Sequence, residues 1–230
     1  MKWQFEISDC PRNSRYPVIA TQIGDNGVRK GPFYLTINDL IQALESGTKS
    51  FNFLAEDSIS DRTPILPIGT IRYATNQTKT VAVVSMEIDK KYWDIRYEDD
   101  KNFYTLGFPR MVVQYTVDLN EGYLSNMKIF AVKDDKKPIT DTTPLFRFPF
   151  PNVHDNGSVC WGKNERIQVK SLVELERGFQ WFVSAPFNED LGVKTTLGIP
   201  NFRMYIEKFE NQPFQDEWLI EMNKTFGDIK

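Results

Sequence analysis

The chain has 230 residues, of which 40% are hydrophobic and 13% aromatic, so it can bury the core of one large domain or of a compact domain with additions. Its formal net charge of −3 gives no excess of basic residues for neutralising phosphates, and we expect no nucleic-acid partner. No apolar run approaches the ~18 residues that cross a bilayer, and the first residues lack the pattern of a signal peptide. The composition therefore predicts a cytoplasmic globular protein with no membrane partner.

The N-terminal region, residues 1–64, has the pattern of a β-rich segment with one short helix. Residues 3–7 alternate apolar and polar side chains, as a half-buried strand does, and residues 17–23 form a second strand-like run that leads into a turn. Thr36 can cap the free amides of a helix start, and Asp39 lies in the first turn of that helix. We predict a helix of about three turns after this cap.

The central region is rich in β-branched and aromatic residues, which favour strands. Turn residues at 118–122 and 134–138 separate the later runs, and such turns join neighbouring antiparallel strands. We predict strands at residues 80–88, 92–97, 111–117, 123–132 and 144–150. The simplest arrangement of these strands is an antiparallel meander.

Two later segments have helical periodicity. Residues 167–183 repeat apolar side chains at helical spacing, which predicts a helix packed across the sheet and weakened modestly by Gly178. Residues 212–226 carry four apolar side chains at intervals of four, which form one helical stripe: Phe214, Trp218, Met222 and Phe226. We expect this C-terminal helix to dock on the protein's own core rather than on a partner. A meander sheet with flanking helices makes the predicted fold class α+β.

The sequence contains two cysteines, Cys10 and Cys160, and one histidine. Cys10 has no second cysteine or histidine nearby, whereas a metal site needs three or four ligands. A domain with this much apolar content needs no disulfide, so we interpret Cys10 and Cys160 as free thiols. No Gly-rich phosphate loop occurs; we therefore predict no cofactor, and any ATP-dependent activation belongs to another protein.

Cys160 follows a segment that presents it on a loop. Residues 144–150 are strand-like, Pro151 ends the run, and a polar turn reaches Gly157, with two residues between it and the cysteine. A free cysteine is a few per cent thiolate near neutral pH and is intrinsically nucleophilic, so it needs no strong base. The pattern predicts an exposed, nucleophilic thiol.

This loop resembles the active-site loop of ubiquitin-conjugating enzymes, where His-Pro-Asn precedes a short polar turn, a glycine and the thioester-forming cysteine. The tripeptide here is Phe150-Pro151-Asn152, and Asn152 precedes Cys160 by eight residues, which is the family's spacing. Only the histidine of this pattern differs. Residues 184–191, at the end of the predicted helix, are similar to the Asp-Pro-Asn-Pro type of segment that follows a helix in that family.

A more closely similar family is the prokaryotic ubiquitin-conjugating-like family that includes PRTRC system protein B. The matching segments are Ile65–Pro67, Phe130–Val132, Thr142–Leu145, Pro149–Val153, Gly157–Cys160 and Phe182–Ser184. The similarity covers roughly residues 65–192. It implies a ubiquitin-conjugating-like core at residues 65–200, preceded by the β-rich extension at residues 1–64 and followed by a strand and helix at residues 201–230 that pack on the core.

The resemblance implies a role for each of three residues. Cys160 would carry a ubiquitin-like modifier as a thioester until an amine attacks the carbonyl. Asn152 would brace the loop or donate to the oxyanion, and Asp190 would orient or deprotonate the amine, with Glu189 in its place if the register shifts by one. From the residues alone, Asn152 also fits an ordinary turn residue, and residues 188–190 also fit a solvated helix exit.

Three neighbouring ring side chains have their own interpretations. Phe150 replaces the family's histidine and would support the loop by packing. His154, the only histidine, fits an exposed turn residue better than a catalytic base. Trp161 fits either a wall of the thiol pocket or a buried anchor.

The resemblance also implies partners. They are an adenylating activating enzyme, a small ubiquitin-like modifier and a metalloprotease that removes the modifier. The implied setting is a bacterial or phage-encoded conjugation pathway, and analogy alone connects such pathways with antiphage defence. Two alternatives stay open: a non-catalytic binding scaffold with the same fold, and a cysteine hydrolase. The hydrolase would pair Cys160 with His154, which is geometrically awkward because both lie close together on one tight turn.

Overall fold

A computed structural model describes residues 2–7, 16–45, 63–162 and 167–229. The chain divides into two compact units, Met1–Arg62 and Thr63–Lys230. Cys10, which the sequence predicts to be a free thiol, lies outside the described residues.

The first unit contains a three-stranded antiparallel sheet and one helix. In sheet order the strands are β1 (Lys2–Ile7), β2 (Val18–Ile23) and β3 (Arg29–Leu35), and the helix is α1 (Ile37–Glu45). The helix begins with a reciprocal cap, because the Thr36 N–H donates to Asp39 Oδ2 over 2.8 Å and the Asp39 N–H donates to Thr36 Oγ1 over 3.1 Å. The helix start therefore lies where the sequence predicts it.

The second unit is built on a six-stranded sheet in which every neighbouring pair is antiparallel. Its strands are β4 (Thr70–Thr75), β5 (Val81–Ile88), β8 (Arg110–Asp118), β9 (Tyr123–Val132), β10 (Pro144–Arg147) and β11 (Glu221–Thr225). The strand order is β11-β10-β9-β8-β5-β4. An antiparallel sheet with a few packed helices makes the fold α+β, as predicted.

One predicted strand pairs differently from the meander. β6 (Lys91–Ile95) pairs with β7 (Tyr104–Phe108) in a separate two-stranded antiparallel sheet. The prediction that residues 92–97 join the meander is therefore wrong. Both edges of β5 are already occupied, one by β4 and the other by β8, so β6 has no free edge to pair with there.

The segment after the cysteine loop is helical over a shorter range than its periodicity predicts. Residues 172–177 form a 3₁₀-helix, and α2 (Gly178–Ser184) follows directly. The helix predicted over residues 167–183 is therefore wrong in its start and in the type of its first turns. Gly178 is required by close packing, since a Cβ at this position would lie 2.6 Å from the ring of Tyr115 in the sheet.

The C-terminal helix predicted over residues 212–226 is also wrong. α3 (Phe202–Phe209) ends before this segment, which instead contains a 3₁₀ turn at Asp216–Trp218 and then β11. β11 pairs with β10, so the backbone groups on that edge of β10 are hydrogen-bonded. A helix in place of β11 would leave this edge of the sheet unpaired. The apolar stripe nevertheless packs on the protein's own core, as predicted, with Phe214 and Phe226 only 1% and 2% exposed.

Apolar side chains alternate between the two faces of the large sheet, and each face carries its own cluster. The larger cluster contains Val113 and Tyr115 and packs against α2 and α3. The smaller cluster, on the opposite face, contains Val112 and Phe130. Within the described residues, no helix combines the length and the apolar character that crossing a bilayer requires.

Candidate active site

The segment that carries Cys160 is a small hairpin. Val153 and Val159 form an antiparallel bridge across it. Next to this bridge the Cys160 N–H donates to the carbonyl oxygen of Asn152 over 2.8 Å. Asn152 has a φ of +65°, a left-handed conformation that asparagine adopts more readily than most residues. The hairpin backbone therefore places Cys160 directly opposite Asn152.

The hairpin is bonded to β9 beyond the end of β10. The Ile129 N–H donates to Gly157 O over 2.8 Å, and the Val159 N–H donates to Met127 O over 2.9 Å. Gly157 has a φ of +88°, and a Cβ there would lie 2.4 Å from the Phe130 ring. Glycine meets both requirements, a left-handed backbone and an approach without a side chain. The glycine of the cysteine loop thus sets how closely the hairpin packs on the sheet.

Cys160 is exposed and stands in a cleft of about 130 Å³. One wall comes from the hairpin and includes Asn152, and the other comes from the segment after α2 and includes Asp190. The three residues predicted for the site therefore meet at one cleft. Trp161 lines this cleft and also packs against the larger core cluster, so it is both a wall and an anchor.

Asn152 braces the two walls against each other. The residue is 8% exposed, and its Nδ2 donates to Pro186 O over 2.9 Å. A carboxamide nitrogen carries two hydrogens, so one is used in this brace and one remains for a second acceptor. Asn152 therefore has two structural roles: its backbone forms the turn, and its side chain links the two walls.

The wall opposite the thiol, residues 185–191, is anchored to the rest of the second unit. Phe187 is fully buried and forms a parallel bridge with Tyr97, just beyond β6. The Phe187 N–H donates to Arg96 O over 2.9 Å, and the Glu98 N–H donates to Phe187 O over 2.7 Å. This wall is therefore held by backbone hydrogen bonds and by a core side chain.

Asp190 is exposed on this wall and lines the cleft. Its Oδ2 accepts from Asn188 Nδ2 over 2.9 Å, and its N–H donates to Asn188 Oδ1 over 3.0 Å. These two bonds fix the carboxylate relative to the backbone. Asn188 also lines the cleft, although the sequence predicts no separate role for it.

Glu189 serves a different part of the molecule. It accepts the N–H of Phe202 over 2.8 Å and the N–H of Arg203 over 3.1 Å, so it binds free amides in the first turn of α3. It also accepts from the Tyr97 hydroxyl over 2.7 Å. Burial and then this hydrogen bond raise the pKa of Tyr97 above its ordinary value. Of the two acidic candidates, Asp190 lines the cleft and Glu189 caps a helix.

Phe150, which stands where the family has histidine, is fully buried in an aromatic cluster. Its ring centroid lies 4.7 Å from that of Phe108 and 5.3 Å from that of Tyr205, both in edge-on geometry. These contacts supply the packing that we expect from this residue. The apolar ring of Phe150 anchors the loop at the position where the His-Pro-Asn pattern of ubiquitin-conjugating enzymes has its histidine.

Two further chemical possibilities find no support among the described residues. His154 is exposed in the hairpin turn and is not among the side chains that line the cleft. No group of His, Cys, Asp and Glu side chains in this part of the chain is arranged to hold a metal ion. The polar side chains that line the cleft are one thiol, two carboxamides and one carboxylate: Cys160, Asn152, Asn188 and Asp190.

This fold and this cleft define a class of protein: an α+β domain that presents an exposed thiol between a buried amide and an exposed carboxylate. Residues 76–222, well over half of the chain, match the family model described as prokaryotic E2 family D, and the chain belongs to that family. E2 denotes a ubiquitin-conjugating enzyme, so the predicted prokaryotic ubiquitin-conjugating-like family is confirmed, and membership suggests a transferase-type enzyme. No curated protein and no solved structure matches the chain. The narrower link to PRTRC system protein B stays a prediction.

Proposed function

We propose that this protein is a conjugating enzyme that carries a ubiquitin-like modifier as a thioester on Cys160 and transfers it to an amine. The observation that supports the proposal most is the exposed thiol in a cleft walled by Asn152 and Asp190, in a chain that belongs to an E2 family. The proposal includes a ubiquitin-conjugating-enzyme-like fold for the second unit. It also includes the cytoplasmic location predicted from the sequence.

The first step loads the modifier. The Cys160 thiolate attacks the C-terminal carbonyl of the modifier, which the activating enzyme holds as a thioester, and the cysteine of the activating enzyme leaves as its thiolate. A cleft of about 130 Å³ suits a slender polypeptide tail better than a bulky side chain. Gly162, on the cleft wall two residues after the cysteine, leaves room beside such a tail.

The second step transfers the acyl group. The acceptor amine attacks the thioester carbonyl, a tetrahedral oxyanion forms, and its collapse makes the amide bond and releases the Cys160 thiolate. We assign the proton that the amine loses to the Asp190 carboxylate. We assign the second N–H of the Asn152 carboxamide to the oxyanion, where one such donor is typically worth ~10²–10³ in rate.

This chemistry requires partners. An adenylating activating enzyme must supply the activated modifier, because the sequence has no phosphate-binding loop of its own. A small ubiquitin-like protein is the cargo, and a metalloprotease that removes it completes the proposed pathway. We place the pathway in bacteria or phage, with antiphage defence as its proposed role.

The test is formation of a reductant-sensitive adduct. The protein is incubated with ATP and with an activating enzyme and a ubiquitin-like protein encoded by neighbouring genes, and the products are separated without reductant. We expect a thioester adduct in the wild type and in Cys10→Ser, a reductant-resistant ester or no adduct in Cys160→Ser, and no adduct in Cys160→Ala. Cys10→Ser is the matched control because it removes the only other thiol.

The same assay separates the alternatives. A binding scaffold gives no adduct with Cys160 intact, which overturns the proposal. A cysteine hydrolase cleaves a conjugate without ATP and loses that activity in His154→Ala, which also overturns it.

A further inference from the structure

Lys194 joins both walls of the Cys160 cleft at one point. Its Nζ donates to Val153 O in the hairpin over 2.7 Å and to Leu191 O in the opposite wall over 2.9 Å. Its backbone N–H donates to Pro149 O, at the start of the cysteine loop, over 2.7 Å. Both side-chain bonds end next to a site residue, since Val153 follows Asn152 and Leu191 follows Asp190.

The surroundings of this ammonium group differ from those of a surface lysine. The side chain is half-buried, and both hydrogen-bond acceptors are backbone carbonyls. Burial lowers the pKa of Lys194, Asp155 opposes that change, and Arg147 adds to it. An ammonium group has three donors and no acceptor, so a lysine can hold two carbonyls at once. Its position is therefore set by the two walls rather than by one flexible ion pair.

Lys194 and the Asn152 carboxamide hold opposite ends of the same wall. The carboxamide binds Pro186 O, and the ammonium group binds Leu191 O. Asp190 lies between these two points and lines the cleft. The Asp190 segment is thus joined to the cysteine hairpin by two cross-links, Asn152 and Lys194, in addition to the Phe187 bonds that hold it to the rest of the second unit.

We propose that Lys194 is a positioning residue for the transfer step, because it holds the segment that carries Asp190 at a fixed place against the hairpin that carries Cys160. The inference rests on the proposed function and deepens it. A displacement of about 1 Å at a reacting group can cost about 10²-fold in rate. Loss of the Lys194 bonds should therefore slow aminolysis, while loading of the thiol, which needs no carboxylate, continues.

The test uses the full chain and a defined chemical probe, a peptide ending in Gly-Gly as its alkyl thioester. The Cys160 thiolate attacks the peptide carbonyl and displaces the small thiol, and the purified adduct is then mixed with free lysine. The lysine amine attacks the thioester carbonyl, the amide bond forms, and the Cys160 thiolate leaves as the amine loses its proton. The rate of this discharge is measured against lysine concentration, which separates kcat from KM.

Four variants at the two positions decide the proposal: Lys194→Met, Lys194→Arg, Asp190→Asn, and Lys194→Met combined with Asp190→Asn. We expect Lys194→Met to load normally but to discharge with a kcat reduced at least tenfold and a KM within twofold of wild type. Lys194→Arg should recover most of the rate, since a guanidinium can also donate to two carbonyls. In the Asp190→Asn background, Lys194→Met should lower kcat by less than twofold, because Lys194 affects the rate only through the position of the Asp190 carboxylate.

Lys90→Met is the matched control. Lys90 is also half-buried and bonded, to Asp216 Oδ1 over 3.0 Å, but neither of these two residues belongs to a wall of the cleft. It should leave discharge unchanged. If the methionine variant does not fold, Lys194→Gln replaces Lys194→Met, both alone and in combination with Asp190→Asn.

Two outcomes overturn the inference and leave the proposed function intact. One is wild-type discharge in Lys194→Met. The other is a loss of rate that multiplies with that of Asp190→Asn, which indicates a general structural role. A wild-type protein that forms no thioester with the probe, or whose thioester lysine does not discharge, overturns the proposed function itself.

Discussion

At the scale of single residues, the position of the thiol depends on one glycine that touches the sheet. Gly157 accepts from Ile129 of β9 and faces the Phe130 ring, which is 1% exposed and belongs to the smaller core cluster. A buried ring cannot move aside without disturbing its neighbours, because core packing is dense. The conformation of Gly157 and the position of the hairpin on the sheet therefore depend on the packing of the smaller core cluster.

Gly157→Ala should destabilise the protein more than Gly198→Ala does. Both glycines have a positive φ, +88° and +64°, so alanine costs about 1–2 kcal/mol of backbone strain at either position. A Cβ meets the Phe130 ring at 2.4 Å at position 157 and nothing within 4 Å at position 198. The overlap should add about 1–3 kcal/mol for Gly157→Ala, measured as the free energy of unfolding in urea. Equal losses in the two variants would contradict this packing argument.

At the scale of elements, features set by neighbouring residues could be predicted, and features set by distant contacts could not. The α1 cap needs only Thr36 and Asp39, three residues apart, and it is present. Glu189 caps α3 from 13 residues away, and Lys194 reaches Val153 across 41 residues. No local pattern encodes such contacts, so the roles of Glu189 and Lys194 became visible only in the fold.

The C-terminal segment illustrates the same limit. An interval of four between Phe214, Trp218, Met222 and Phe226 predicts burial correctly, because each of these side chains packs on a core cluster. It does not predict the secondary structure, since the partner that converts the segment into β11 is β10, some eighty residues earlier in the chain. The cleft residues Cys160, Asn152 and Asp190 were predictable through the family resemblance, and Asn188 had no signal beyond a polar turn.

Substitution of the two neighbouring carboxylates, Glu189 and Asp190, should have different effects, one on stability and the other on the rate of thioester discharge. Glu189→Ala removes the acceptor for two amides at the start of α3, so it should lower the free energy of unfolding by about 1–3 kcal/mol. Asp190→Ala, at an exposed position, should change stability by less than about 0.5 kcal/mol but slow thioester discharge to lysine by about 10²-fold. Chemical denaturation and the peptide-thioester assay measure the two effects. If Asp190→Ala discharged its thioester to lysine at the wild-type rate, the assignment of the general base to Asp190 would be wrong.

At the scale of the whole molecule, the two units have separate apolar cores among the described residues. The members of the two larger clusters all lie between Leu66 and Ile229, in the second unit. The cluster of the first unit draws only on residues between Trp3 and Leu40. The cysteine hairpin and both of its walls lie in the second unit, together with the whole of the E2 family match. The structural requirements of the proposed chemistry are thus met within one unit.

A chain of residues 63–230 should therefore fold cooperatively and load the peptide thioester as the full chain does, because it keeps both larger clusters and every cleft residue. A chain of residues 63–211 should not, although it retains Cys160, Asn152 and Asp190. It lacks β11, which pairs with β10, and four side chains that are less than 10% exposed: Phe214, Leu219, Phe226 and Ile229. Each large apolar side chain removed from a core costs about 2–5 kcal/mol, so their joint loss exceeds the usual stability of a domain. Calorimetry should detect a single cooperative transition for residues 63–230 and none for residues 63–211. A cooperative transition in the chain that ends at residue 211 would contradict this prediction. It would mean that the second unit folds without β11 and without the four buried side chains that follow residue 211.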